Sequence, residues 1–168
     1  DREVRMYTPP CRNRAQAWRF LEDLWEAVPG RGGTSLLPVA RYLDDHFRQE
    51  GLVFIISDFL TDEDLGHARE LSLLAARHDI VAVVVEDPAE TALPAANAVV
   101  EFRDVESGKR RRMALDPGLR RRYADAMQRR RDELVDSFYN VPMDYLFVRP
   151  DQHVMEPLMK LFATRRRA

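Results

Sequence analysis

Two hydroxyl residues and one carboxylate have a spacing that could do chemistry. Thr34 and Ser35 follow the glycine-rich loop Pro29-Gly-Arg-Gly-Gly33, and Asp58, preceded by Ser57, ends the apolar run Leu52-Val-Phe-Ile-Ile56. Thr34 and Asp58 lie 24 residues apart, the length of one helix plus one strand, which brings both to the same edge of a sheet. Converging oxygen donors are what hard divalent cations such as Mg2+ prefer. Two oxygens are fewer than a full shell, and Thr and Asp are also common helix-capping residues. The pattern therefore admits either a partial metal site or a pair of caps.

Other chemistries find less in the chain. Asp58 at a strand end could be the nucleophile or magnesium ligand of a phosphoryl-transfer enzyme, but no Gly-x-x-x-x-Gly-Lys phosphate loop accompanies it. Ser57 lacks the Gly-x-Ser-x-Gly elbow of a hydrolase. His46, His67, His78 and His153 fall in different elements with no spacing of three or four, so they read as structural or solvent-facing. Cys11, the single cysteine, excludes an internal disulfide and any multi-thiolate zinc site.

The elements that must position these residues follow from apolar periodicity. Val4 to Tyr7 reads as a short extended piece stopped by Pro9-Pro10. Trp18, Leu21, Trp25 and Val28 recur at helical spacing, predicting a helix over 13–27 with both tryptophans as core anchors. Leu36, Ala40, Leu43 and Phe47 predict a second helix that Gly51 closes. Leu52 to Ser57 and Ile80 to Val85 read as fully buried parallel strands, joined by a helix over 62–77 with Leu65, Ala68, Leu71 and Ala75 inward. Ala98 to Phe102 and Arg111 to Leu115 flank Glu106-Ser-Gly108 as a peripheral antiparallel hairpin. Asp116 as cap and Pro117 at the first position start a long helix to Tyr139, and a strand over 144–148 and a helix over 154–164 complete the chain.

Composition sets the outer bounds. The 168 residues suffice for one domain with one core, and 45% hydrophobic with 32% charged residues is ordinary for a globular domain. No apolar stretch approaches the roughly 20 residues of a spanning helix, and no basic-then-apolar leader opens the chain, so the expected location is cytoplasmic. Basic residues are clumped at Lys109 to Arg112, and arginine at 120–122, 129–131 and 165–167, which invites a polyanion-binding reading. The net charge of −2 and the absence of interleaved aromatics oppose it, leaving the clusters as solvated faces.

The order of motifs resembles the C-terminal part of a bacterial family called domain of unknown function 58. It runs Tyr7-Thr-Pro-Pro10, Gly33-Thr34 before an amphipathic helix, Ile56-Ser-Asp-Phe-Leu60, Arg77-His-Asp-Ile-Val-Ala-Val83, Asp87-Pro88, the Glu106-Ser-Gly108 hairpin, Arg120 to Tyr123, and Pro157-Leu158 to Arg165. The resemblance implies a partial von Willebrand factor A-like, Rossmann-like α/β fold: a doubly wound, mainly parallel sheet with a peripheral hairpin. It also implies a metal-ion-dependent adhesion site to which Thr34 and Asp58 contribute, a non-enzymatic interaction role, and work alongside a MoxR-type AAA+ ATPase. The family's Asp-x-Ser-x-Ser loop, which supplies the principal ligands, has no counterpart in the chain. Residues 1–7 resemble the third strand, so the chain is expected to begin midway through the fold as a fragment or a divergent member. In the order 3-2-1-4-5-6 the first strand would lie beside Leu52 to Ser57. That edge is then expected to be bare and open to self-association.

Overall fold

The structure is a computed structural model that describes residues 4, 6–9, 13–27, 34–88, 93–95, 99–103 and 110–165. Its elements are α1 (Arg14–Glu26), α2 (Leu37–His46), β1 (Leu52–Ser57), α3 (Arg69–Arg77), β2 (Asp79–Val85), β3 (Val99–Arg103), β4 (Arg110–Ala114), α4 (Pro117–Asn140), β5 (Asp144–Val148) and α5 (Met155–Arg165). The expected Glu106-Ser-Gly108 turn, Gly32-Gly33 and Cys11 lie outside the described residues.

Three parallel strands form the sheet in the order β1-β2-β5, with Phe54 opposite Val81 and Val83 opposite Leu146. The strands β3 and β4 pair separately and antiparallel, Val99 opposite Ala114, as the hairpin reading expects. Central β2 is buried from Ile80 to Val84, and the two-residue period of a strand divides its side chains between two cores. Ile80, Ala82 and Val84 pack with Leu71, Leu74, Phe138 and Val141 beneath the helices. Val81 and Val83 face the other way, with Leu146, Val148 and the α5 residues Leu158 and Leu161. Helices thus pack on both sides of the central strand β2, as parallel sheets require.

The end of α5 is latched to the opposite rim. Arg165 donates Nη1 and Nη2 to the two Asp79 oxygens at 2.8 and 2.9 Å, and Nε to Asp144 Oδ2 at 2.5 Å. Both aspartates open their strands. A planar guanidinium can meet two carboxylates in this way; an ammonium cannot.

Two burial expectations are overturned. The strand β1 is half-buried on one face only: Val53 and Ile55 join the helix-side core, while Leu52, Phe54 and Ile56 are exposed, Ile56 at 69%. Among the described residues β1 pairs only with β2, so its outer edge carries no strand, and a single ring contact, Phe54 to Phe162 at 6.3 Å, reaches its open face from α5. Trp18 and Trp25 are not core anchors either. Asn13 caps α1 by accepting from Ala15 N at 2.9 Å, but no residue of the helix is buried, and the tryptophans are 67% and 91% exposed. The amphipathic stripe is real; among the described residues nothing covers it.

Other boundaries shift for local reasons. The helix expected over 62–77 starts only at Arg69, because Thr61 to Asp64 form a loop and Leu65–His67 a single 3-10 turn. A Cβ on Gly66 would lie 3.2 Å from Ser137 Cα, so glycine lets this turn press against α4. Val4 and Met6 to Pro9 carry no strand pairing in the described structure.

A candidate site at the carboxyl ends of the strands

The strand β1 ends in a strained turn. Phe59 sits at φ 52°, the left-handed region that costs a bulky residue roughly 1–3 kcal/mol unless its surroundings enforce it. Several contacts do. Ser57 Oγ accepts from Phe59 N at 3.0 Å, Phe59 O accepts from Thr61 N at 3.0 Å and from Arg130 Nη2 at 3.2 Å, and the buried ring meets Phe138 edge-on at 5.3 Å. Driving Phe59 inward turns Asp58 outward. The Asp58 carboxylate is exposed and accepts from Leu60 N at 3.0 Å through Oδ1, the local side-chain turn expected of an Asp in a loop.

The second loop is held to this turn by Glu63. Leu36 N donates to Glu63 Oε2 at 2.7 Å, and Ser35 Oγ donates to Oε1 in a short hydrogen bond. Thr61 Oγ1 in turn accepts from Glu63 N at 3.2 Å. The N-cap position of α2 is Leu36, which has no side-chain cap, so an acid from the post-β1 loop supplies what Thr34 was expected to supply. Half-buried Thr34 therefore does not cap α2, and among the described residues no hydrogen bond joins it to Asp58. The two loops do converge as the 24-residue spacing implies, through a residue the spacing does not single out. The available signal was that an acid beyond a strand end can reach the positive N-terminus of the preceding helix.

Beside Asp58 the crevice divides into two cavities that share Arg130 and Leu134. One, about 70 Å³, has walls of Leu60, Val84, Met127 and Phe147 and acids at its rim. Arg131 lies 3.6 Å over the Phe147 ring and pairs with Glu86, whose N–H donates to Val148 O at 2.9 Å. The other, about 310 Å³, is polar and reaches from Thr61 past Glu133 to Ser137. Asp64 on its wall meets the His67 ring, which lies 3.0 Å from both its oxygens and holds that carboxyl below its ordinary pKa. Reading the arginine clusters as solvated faces is thus incomplete. Arg120 donates to Leu115 O, Arg130 to Phe59 O, Arg131 to Glu86, and Arg165 to two aspartates, so several clusters give a member to the framework.

A three-stranded parallel sheet with loops gathered at the carboxyl ends of its strands defines a class of open α/β domain. Within that class the chain belongs to the family described as protein of unknown function DUF58, whose model matches residues 1–133. Curated relatives are mycobacterial. Uncharacterized protein Rv1480 of Mycobacterium tuberculosis H37Rv is 34% identical over 120 residues, covering 71% of this chain and 37% of that protein. Uncharacterized protein MAV169 of Mycobacterium avium is 32% identical over 120 residues, covering 71% of this chain and 69% of that protein. The chain therefore spans little more than a third of the first relative's length. Among solved structures, the conserved hypothetical protein BatB from Bacteroides thetaiotaomicron superposes with a TM-score of 0.50 at 13% identity, covering 92% of this chain and 70% of that one, a likeness of fold.

Proposed function

We propose that this chain is part of a von Willebrand factor A-like, non-enzymatic protein-interaction module that engages its partner at the carboxyl ends of the strands, and that the partner is a MoxR-type AAA+ ATPase. The observation that carries the reading is the Glu63 tie, which joins the loop of Thr34 to the strand end of Asp58. The parallel order β1-β2-β5 supports it as half of a doubly wound sheet. Asp58 accepts hydrogen bonds from Leu60 N and the Ser57 hydroxyl and is otherwise exposed, which leaves its carboxylate open to a partner in this reading.

The donor set bears on the adhesion-type metal. Thr34 and Asp58 offer two oxygens where Mg2+ takes six ligands, and among the described residues no group of three His, Cys, Asp or Glu could hold a metal. The described residues do not by themselves fit a closed Mg2+ site, so Thr34 and Asp58 contribute a share of the coordination in this reading. Calorimetric titration with Mg2+ or Mn2+, and retention of a purified MoxR-type ATPase on the immobilised chain, test the reading. Retention of the ATPase that falls on Asp58→Ala is expected. Phosphatase or ATPase turnover abolished by the same substitution would replace this reading with an enzymatic one.

A further inference from the structure

The two cavities beside Asp58 form one groove along α4, because residues 127, 130, 131, 134 and 137 lie on a single helical face. Its linings carry six carboxylates against two guanidiniums. Glu86 is matched by Arg131, and Asp64 by His67. Asp58 and Glu133 have no cation within ion-pair distance among the described residues. One end of the groove is apolar; the rest is polar and negative.

We infer that this groove docks an extended basic segment of a protein partner, with an aliphatic side chain in the 70 Å³ cavity and a Lys or Arg side chain at Glu133. Charge decides the occupant. A phosphate backbone would meet the acidic excess and be repelled, whereas a lysine or arginine places its methylenes on Leu60 and Met127 and its head at the carboxylates. Arg131 shows the same chemistry within the chain, a guanidinium held between a ring and a carboxylate on the same wall. The inference rests on the interaction-module reading and gives that module's partner a chemistry.

The test is fluorescence anisotropy with short labelled peptides alternating Leu with Lys, Leu with Glu, or Ser with Lys. The Leu-Lys peptide is expected to bind, more weakly as salt rises, and to lose at least about tenfold in affinity on Glu133→Lys and on Met127→Trp, which fills the apolar cavity. Glu133 is exposed, so a melting curve matching the parent separates lost docking from lost folding. Equal binding of the Leu-Glu peptide, or affinity unchanged in both variants, would overturn the groove assignment. Neither variant touches Thr34 or Asp58, so that failure would leave metal titration and ATPase retention free to stand or fall separately.

Discussion

The backbone N–H of Leu36 donates to the Glu63 carboxylate at 2.7 Å, across 27 residues, and this bond joins the start of α2 to the loop that leaves β1. An ionised acceptor on an otherwise uncapped helix N-terminus is a charge-assisted bond with the helix dipole behind it. Glu63→Ala should therefore lower unfolding stability by about 1–3 kcal/mol, read from urea denaturation. Glu63→Gln keeps one acceptor and should recover part of the loss. If Ala and Gln cost the same few tenths, the tie between the loops is not holding them.

Phe59 offers a test whose sign is unusual. Truncating a buried aromatic costs about 3–5 kcal/mol, and glycine normally costs more than alanine through backbone entropy. At φ 52° the alanine retains a Cβ in the left-handed region while glycine does not. Phe59→Gly should be less destabilising than Phe59→Ala, by about 1 kcal/mol. The usual order, with Ala the more stable, would mean that the turn relaxes once the ring is gone.

Arg165 holds the end of α5 against Asp79 and Asp144, and that helix covers Val81, Val83 and Leu146 on its side of the sheet. Arg165→Met should cost up to about 1 kcal/mol and raise amide exchange in α5 before the helix-side core responds. Arg165→Lys should not restore it, because an ammonium cannot reproduce the bidentate contact. Exchange rising equally throughout the sheet would make the latch global rather than local.

Acid should loosen the packing of α2 on α3. The Arg41 guanidinium, donating to Glu70 at 2.6 Å, holds the Glu70 carboxyl below its ordinary pKa. A carboxylate lowered in the folded state stabilises it above its unfolded pKa and ceases to do so as pH falls through the folded value. Stability is then expected to decline in the acidic range below about 4.5, with a shallower acid limb in Glu70→Gln. An identical limb in the variant would assign the acid sensitivity elsewhere.

The framework was legible because its signals are local or strictly periodic. Asp116 accepts from Leu119 N at 2.7 Å as its cap position predicts, and Leu52–Ser57 and Asp144–Val148 begin and end where apolar alternation or an apolar run says they should. Burial was less legible, since periodicity tells which residues share a face but not whether that face meets a partner. Trp18 and Trp25 share a stripe and remain in solvent, and the run Leu52 to Ile56 reads as doubly buried while half of it is open. The strand end before Asp58 was legible, because an apolar run stops there, but the way its loop is tied to the rest was less so. It was hidden at Glu63 and Arg130, whose partners Leu36 and Phe59 are backbone groups 27 and 71 residues away.

The open face and edge of β1 carry the last expectation. Leu52, Phe54 and Ile56 present an apolar row beside an edge that no strand pairs among the described residues, the combination that sheet proteins ordinarily cover or charge. With no neighbour on that edge among the described residues, the chain should self-associate at micromolar concentration, and Ile56→Lys should shift it toward monomer. Because Ile56 is 69% exposed, the substitution should change the melting temperature little while changing the sedimentation profile. A parent chain that sediments as a stable monomer, with the β1 amides as protected as those of β2, would exclude intermolecular pairing. Loss of folding in Ile56→Lys would instead place that side chain in a core, against its exposure.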